Sequence, residues 1–478
     1  MIPVREKRWQ PTAPWITALT LVVLVNAAFL MLGIWVATLP REPLVQRVRQ
    51  AFASGDLIEN DWPWLTSRHG FDQYNDCSIL QMITNHDDDR LANAVGPLIY
   101  NKNRGETDKC ATLHKIVNEG PEGAPYLVFR YTRYWHGYDP VAAALLLTFD
   151  VGDARKALTI ALYGALILVA VAAGTRHHGL LAVAASIAIT GALFWAVPYF
   201  GPCFSHAPGD IFVMLGLAGL FLWRDRLSRL ATLVPFCAAY GAGVVYFEFL
   251  TGQLPTAAGL LFPTAYLIAR TRPEPDDRAR EAWRFAFAAL MAFVLGAVLT
   301  VVIKQILAVA VVGPDALASF LEYLKRYVNP SPSASLQHFG ETWSSPHRSL
   351  VWSSLKAIYV VLGEGYVLTY GSRSAAALLY GAGVLAWVTA GYLTFRRAGR
   401  WASSDLLAMA AGAGIVVVWA LTFQTHTTLH KFWMVRMMLV PLSMGWGALA
   451  WQLTTNPARE PVAASRAAGG PGGLWRSV

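Results

Sequence analysis

The feature that most restricts the fold of this chain is a succession of apolar segments along almost its whole length. The first, Ile16–Thr38, contains no charged side chain, and about 20 apolar residues are enough for a helix to cross a bilayer. The pattern predicts an all-α fold, a polytopic bundle of about ten transmembrane helices. The other nine predicted spans are Ala157–Gly174, Leu180–Phe200, Ile211–Leu222, Leu230–Phe249, Ala257–Ile268, Phe285–Val312, Ala375–Phe395, Leu406–Phe423 and Met434–Leu453.

The composition supports a membrane protein and argues against a nucleic-acid-binding one. Only 14% of the residues are charged, against about 25% in soluble domains. The net charge of +9 fits the positive bias of cytoplasmic loops and the attraction to anionic headgroups. We therefore expect membrane lipids, and no nucleic acid, among the partners.

The N-terminal segment reads as an uncleaved first helix whose N-terminus lies inside. Met1–Gln10 is basic, and the apolar run that follows exceeds the roughly 7–15 residues of a signal-peptide core. An Ala-rich composition with more Arg than Lys favours a bacterial host. The expected location is therefore the plasma (inner) membrane.

Loop charges predict which side each connection occupies. Four short loops are basic or of mixed charge, and the positive-inside rule places them in the cytoplasm with both chain termini. This leaves two large extracytoplasmic segments, 39–153 and 313–371, within one transmembrane unit of residues 1–455. The tail, 456–478, is Ala-, Gly-, Pro- and Arg-rich and is expected to be disordered in the cytoplasm. The four cytoplasmic loops are Thr175–His178, Trp223–Arg229, Ala269–Arg284 and Arg396–Arg400.

Two segments outside the spans have the character of interfacial helices. Leu350–Tyr370 is apolar but contains Lys356 and Glu364, and counting it as a span would move Arg396–Arg400 outside. It is therefore read as an interfacial or re-entrant helix on the outer face. Pro43–Phe52 is amphipathic, which suits either a helix on the membrane surface or a surface helix of the first loop.

Cys77 and Cys110 both lie in the first outer loop, where an oxidising compartment allows a disulfide. A bridge would close a loop of about 34 residues and stabilise it by roughly 3 kcal/mol in the chain-entropy model. The alternative is two separate free thiols.

Acidic residues of the first loop are candidates for chemistry. Asp72 and Asp76 are four residues apart, so a helix would place them on one face. A sheltered carboxylate has the raised proton affinity that a general base needs. The alternatives are solvated charges, or Asp76 as the cap of a helix over 77–82.

A denser acidic run follows at Asn85–Arg90. Its three carboxylates, with His86, suit a hard cation such as Mg²⁺ or Mn²⁺, although such runs are often solvated turns. No cofactor is firmly indicated, and no Cys/His spacing indicates zinc.

Two basic and aromatic segments suit substrate binding. Phe129–Tyr138 includes Arg133 and His136 among five aromatic residues, a set suited to sugar rings and phosphate or to an interfacial belt. In the last outer hairpin, His426, His430 and Arg436 suit a lipid phosphate, or headgroup contact without catalysis.

Two further charges fall at or near predicted spans. Lys304 is by default functional, unless it snorkels outward from the end of its helix. Glu248, at the outer end of a span, is expected to be an interfacial charge.

The arrangement of a first span, a long acidic outer loop, further spans and basic later loops resembles the GT-C class of membrane glycosyltransferases. The strings Arg133–Tyr138 and His426–His430 with Arg436 are similar to ones in bacterial polytopic proteins assigned to that class. The resemblance implies transfer of a sugar from a polyprenyl-phosphate donor to a glycan or lipid acceptor on the outer face. A first-loop acid serves as base in such enzymes, with or without a divalent metal.

Carried over to this chain, the resemblance makes Asp76 or Asp72 the base. It assigns His426, His430 and Arg436 to the donor phosphate. In that class the acid often follows the first span closely, where this sequence has Glu42 next to Arg41.

Two other functions remain open. A transporter or flippase for lipid-linked saccharides predicts functional charges deep in the membrane. A non-catalytic assembly protein predicts that Asp72, Asp76 and His426 can be lost silently.

Overall fold

The structure, a computed structural model, is almost entirely helical, which confirms the all-α prediction. It describes residues 12–63, 68–70, 72–101, 108–121, 126–174, 177–195, 197–248, 252–271, 278–328, 373–396, 400–423, 426–427 and 431–455. The segments 1–11, 350–370 and 456–478, to which expectations were attached, lie outside the described residues.

The first helix, α1 (Ala13–Thr38), matches the predicted first span and begins with Pro14 in its first turn, where the missing N–H costs nothing. Its large side chains are strongly exposed, among them Ile16 at 61% and Met31 at 63%. A surface of this kind suits contact with lipid tails rather than water.

A small cap domain, residues 41–149, follows α1 and contains the only strands among the described residues. The two strands pair antiparallel, with Leu98 opposite Arg130 and Asn101 opposite Leu127. The elements of the cap domain are α2 (Arg41–Ser54), α3 (Gln73–Thr84), α4 (Arg90–Val95), β1 (Leu98–Asn101), α5 (Lys109–Glu119), β2 (Leu127–Arg130) and α6 (Tyr138–Thr148).

The amphipathic helix α2 buries its apolar face inside the cap domain. Leu44 and Val48 are fully buried in a cluster with side chains of α3, α5 and α6. The packing therefore supports the surface helix of the first loop over the helix lying on the membrane.

Cys77 and Cys110 form a disulfide that joins α3 to α5, with their Cα atoms 5.1 Å apart. Next to it, the Asp61 carboxylate accepts hydrogen bonds from the backbone N–H groups of Lys109 and Cys110, at 2.8 and 2.7 Å. Both contacts satisfy donors at the start of α5 that have no partner within the helix.

The remaining helices form a bundle below the cap domain. They are α7 (Val151–Ala173), α8 (His178–Phe194), α9 (Val197–Phe200), α10 (Ala207–Leu222), α11 (Arg224–Leu227), α12 (Leu230–Phe247), α13 (Gln253–Arg270), α14 (Arg278–Val311), α15 (Asp315–Val328), α16 (Arg373–Arg396), α17 (Arg400–Thr422), α18 (Lys431–Met434), a 3-10 turn (Val435–Met438) and α19 (Leu439–Thr454).

Within the described part of the chain, six helices are long and apolar enough to cross a membrane, so the protein is a membrane protein. Three shorter apolar helices accompany them, at Tyr138–Thr148, His178–Leu193 and Ala207–Leu222. The number of crossings stays a prediction. The six long segments are Ala13–Thr38, Val151–Ala173, Leu230–Phe247, Ala279–Val311, Ala377–Arg396 and Ser403–Thr422.

The end of the bundle away from the cap domain is held by polar contacts around Asp405 in the first turns of α17. Tyr266 donates to Asp405 at 3.0 Å and Trp451 donates to it at 2.9 Å, while Trp283 donates to Ser404 at 2.8 Å. Side chains of α13, α14 and α19 thus meet at the start of α17, which we call the far end of the bundle.

Removing the disulfide by replacing both Cys77 and Cys110 with serine is expected to lower the free energy of unfolding by roughly 3 kcal/mol, because the unfolded chain regains loop entropy. Thermal unfolding of the purified protein in detergent measures the change. Reductant should lower the melting temperature of the wild type and leave the double variant unaffected. Equal melting temperatures of the two proteins under oxidising conditions would contradict the stabilising role.

Candidate functional site

Polar and charged side chains gather where the cap domain meets the bundle, beginning at the start of α3. Asp72 caps this helix by accepting a hydrogen bond from the Asn75 N–H at 3.1 Å. Its second oxygen accepts from the Asn75 side chain at 2.6 Å and faces His206 Nε2 at 2.8 Å. The helix therefore begins one turn earlier than the alternative cap at Asp76 would require.

His206 lies just before α10 and connects Asp72 to the last helix of the bundle. Its Nδ1 is 3.0 Å from the guanidinium of Arg436, in the 3-10 turn that precedes α19. Glu248, which follows α12, places Oε2 3.8 Å from the same Nδ1. One imidazole ring is thus contacted by residues from three distant parts of the sequence.

Asp210 and Gln253 complete this group. The other terminal nitrogen of the Arg436 guanidinium, Nη1, donates to Asp210 Oδ2 at 2.7 Å. Gln253, at the start of α13, donates to Asp210 at 2.9 Å and to the His206 carbonyl at 3.1 Å. We call Asp72, His206, Asp210, Glu248, Gln253 and Arg436 the interface cluster.

Asp76 forms a separate buried ion pair beside the interface cluster. Its carboxylate is 3.1 Å from Arg155 and accepts from the backbone N–H and hydroxyl of Ser205 at 3.1 and 3.2 Å. The side chains of Asp76 and Arg155 are 0% and 2% exposed. Burial raises the pKa of Asp76 to about 6, although Arg155 opposes the shift.

Opposing influences act on the pKa of His206. Burial and the neighbouring Arg436 lower it, and Arg436 can donate to Nδ1 only when the ring is neutral. The carboxylates of Asp72 and Glu248 stabilise the protonated ring. Because two carboxylates face one imidazole, they prevail and raise the pKa of His206 to about 9.

Aromatic rings cover the interface cluster. The Trp433 ring lies 5.7 Å from that of His206, and Trp62 stacks between Trp433 at 6.5 Å and Tyr74 at 5.6 Å. Trp62 is 42% exposed. The exposed part of this aromatic group is an apolar surface against which a sugar ring can pack.

Arg133 and His136 lie in a second group, where the cap domain contacts α14 and α15. The Arg133 guanidinium lies over the ring of Tyr323 at 3.4 Å, and its carbonyl accepts from Gln305 at 3.0 Å. His136 bonds the Tyr138 hydroxyl at 2.9 Å. Burial, followed by the nearby Lys304, lowers the pKa of His136 to about 3, so this ring is neutral.

Glu248 lies close to both groups. It faces His206 and Arg436 in the interface cluster. It also contributes to the raised pKa of Tyr138, which burial, Tyr131 and Asp139 raise more strongly. Tyr138, which forms a hydrogen bond with His136, therefore lies within electrostatic range of Glu248.

Lys304 lies near the cap-domain end of α14 and is 1% exposed. Its ammonium donates to the Val95 carbonyl of the cap domain and lies 5.0 Å from the Trp135 ring. It therefore neither snorkels to solvent nor lies at the middle of the bundle.

The acidic residues that follow α3 form contacts within the cap domain. Asp87 pairs with Arg130, and Asp89 caps α4 by accepting from the Ala92 N–H at 2.9 Å. Within the residues that the structure describes, no group of three or more His, Cys, Asp or Glu side chains could hold a metal ion.

The structure thus brings together Asp72, Asp76 and Arg436. His426 is 2% exposed, and His430 lies outside the described residues. Sequence reasoning missed His206, Asp210 and Arg155. Each of these residues lies at or near the end of an apolar run. In a sequence, a polar residue at that position usually indicates a helix cap or an interfacial charge.

Glu248, expected to be an interfacial charge, is instead 10% exposed and lies beside two basic side chains.

Comparison with protein-family models, with curated proteins and with solved structures finds no match for this chain.

Replacing Asp76 with Asn should lower the free energy of unfolding by about 3 kcal/mol, because a buried charge on Arg155 is left without its counter-ion. The measurement is thermal unfolding in detergent. The matched control is Asp153→Asn, which removes an exposed pair with Lys156 and should leave the melting temperature unchanged. Equal melting temperatures for both variants would show that the buried pair adds no stability.

The raised pKa of His206 predicts how its contribution to stability varies with pH. The protonated ring stabilises the folded state fully below pH 6.5, and this stabilisation is lost as pH rises through about 9. The difference in free energy of unfolding between wild type and His206→Gln should shrink by on the order of 3 kcal/mol between pH 6 and pH 10.

Melting curves across this range test the pH prediction. The control is His178→Gln, at an exposed site at the start of α8. A difference between wild type and His206→Gln that stays constant with pH would contradict it.

Proposed function

We propose that this protein is a membrane glycosyltransferase of the GT-C type. It moves a sugar from a polyprenyl-phosphate donor to an envelope glycan or lipid acceptor on the extracytoplasmic face of a bacterial plasma membrane. The observation that carries the proposal is the interface cluster beneath an aromatic stack. A carboxylate-rich group, a basic side chain and a sugar-binding surface lie together at one end of a lipid-embedded bundle.

The chemistry of the interface cluster matches the demands of this reaction. An acceptor hydroxyl must lose a proton as it attacks the anomeric carbon, which requires a carboxylate base. The leaving polyprenyl phosphate carries negative charge, which the two basic side chains of the interface cluster, Arg436 and His206, are placed to stabilise. The rings of Trp62 and Trp433 offer the surface for the sugar.

Charge placement supports the extracytoplasmic location of the cap domain. Arginine side chains gather at the far end of the bundle, as expected for the cytoplasmic side. With ten crossings, as the sequence predicts, both termini lie inside. The far-end arginines include Arg224, Arg226, Arg229, Arg270 and Arg396.

The alternative of a transporter for lipid-linked saccharides receives less support. In the six long apolar helices, charged residues lie toward the two ends, and the one farthest from an end is Lys304, about two turns inside the end of α14. A transporter of this kind is expected to place functional charges and broken helices near the middle of the membrane.

Deleting the gene in its own host and profiling envelope glycans and polyprenyl-linked sugars by mass spectrometry tests the proposal. We expect a glycan to lose one sugar and a sugar-loaded polyprenyl lipid to accumulate, with both restored by the wild-type gene. Glycan and lipid pools that stay unchanged on deletion, under conditions where the gene is expressed, would refute transferase activity.

A further inference from the structure

The proposed transfer requires a carboxylate that is free to accept a proton and whose side chain is not fully enclosed. Four acidic residues lie in or beside the interface cluster: Asp72, Asp76, Asp210 and Glu248. The four residues differ in their hydrogen-bond partners and in the exposure of their side chains, and these differences indicate which of them can act as the base.

The three aspartates are occupied and enclosed. Asp72 uses its oxygens to cap α3 and to hold His206, and Asp76 uses its oxygens for Arg155 and Ser205. Asp210 holds Arg436 with one oxygen and Gln253 with the other. Their side chains are 0%, 0% and 1% exposed. Each oxygen of the three aspartates thus already accepts at least one hydrogen bond.

Glu248 differs in both respects. Its Oε2 is buried and has no hydrogen-bond partner among the described residues, with His206 and Arg436 at 3.8 and 3.9 Å. Its side chain is 10% exposed, more than that of any of the three aspartates. It also lies at the end of α12, where the backbone is extended, so the carboxylate projects from a helix end and not from a packed helix face.

An unsatisfied buried carboxylate oxygen is costly and uncommon, and such groups often mark a functional role. The two basic neighbours of Glu248 hold it near the position where negative charge would develop on the donor phosphate during transfer. Arg436 is in turn fixed by Asp210, and His206 by Asp72. The surrounding aspartates therefore orient the basic side chains that face Glu248.

We propose that Glu248, and not an acid of the first outer loop, is the general base of the reaction. This inference rests on the proposed function. Asp72 and Asp210 then act as positioning residues for His206 and Arg436, and Asp76 stabilises the junction between the cap domain and α7.

The step balances without any further reactant. The acceptor oxygen forms a bond to the anomeric carbon while its proton moves to the Glu248 carboxylate. The bond between the anomeric carbon and the phosphate oxygen breaks, and the polyprenyl phosphate leaves with the electron pair beside Arg436 and His206. The proton on Glu248 returns to water before the next cycle.

The deletion strain, complemented with variants of the full-length protein, tests this assignment. The readout is the rate at which the accumulated polyprenyl-linked sugar disappears after induction, normalised to the amount of protein in the membrane. Glu248→Gln should slow it at least 100-fold, within the range for loss of a general base, and Glu248→Asp should keep part of it. The control Glu119→Gln, at an exposed site on α5, should behave as wild type.

Chemical rescue separates a base from a structural residue. In membranes from the deletion strain that carry Glu248→Ala, added formate should restore part of the transfer, because a small carboxylate can occupy the vacated space. A structural contact would not be restored in this way.

Each outcome is informative. If Glu248→Gln restores the lipid and glycan pools as fully as wild type, Glu248 is not the base and the proposed function stands. The assignment would also be overturned by two results together: Glu248→Asp is inactive at normal protein levels, and formate does not rescue Glu248→Ala. If complementation with the wild-type gene changes no glycan or lipid pool, the proposed function itself is refuted, whatever the variants show.

Discussion

The architecture depends on the neutralisation of charges that are buried where the cap domain meets the bundle. An isolated charge at such a depth costs several kcal/mol, so these groups are placed only where opposite charges meet them. Asp72 pairs with His206 at 2.8 Å, and Asp210 pairs with Arg436 at 2.7 Å. The two basic side chains lie 3.0 Å apart, in a contact that Arg436 donates to the neutral imidazole, and they connect the two pairs into one chain. It joins the first loop, the start of α10 and the start of α19.

This chain of contacts fixes the position of the cap domain on the bundle. The Asp76–Arg155 pair holds α3 against α7 nearby, and the disulfide holds α5 against α3. A second polar junction around Asp405 holds the far end of the bundle. Between the two junctions the helices contact one another mainly through apolar and small side chains, and the small ones let the helix backbones approach closely.

The same buried charges give the interface its chemical character. Three acids hold basic groups in place, and Glu248, at the end of α12, has an oxygen without a hydrogen-bond partner in the part of the chain that the structure describes. Preorganised dipoles and charges of this kind are the usual source of electrostatic stabilisation in enzymes. The aromatic stack of Trp62, Tyr74 and Trp433 meets this group at Trp433, whose ring lies 5.7 Å from that of His206.

The sequence by itself determined the helical membrane character, because a span requires a continuous apolar run whose length can be read directly. It also indicated a long first loop with two cysteines that can form a disulfide. Asp72, Asp76 and Arg436 were recognisable as candidate functional residues. It could not indicate that His206 lies between Asp72 and Arg436. Only the tertiary structure decided this, because the contacts join residues far apart in the chain and leave no periodic pattern. For the same reason, Glu248 reads in the sequence as an ordinary charge at a helix end, and its unsatisfied oxygen becomes visible only when its neighbours are assembled.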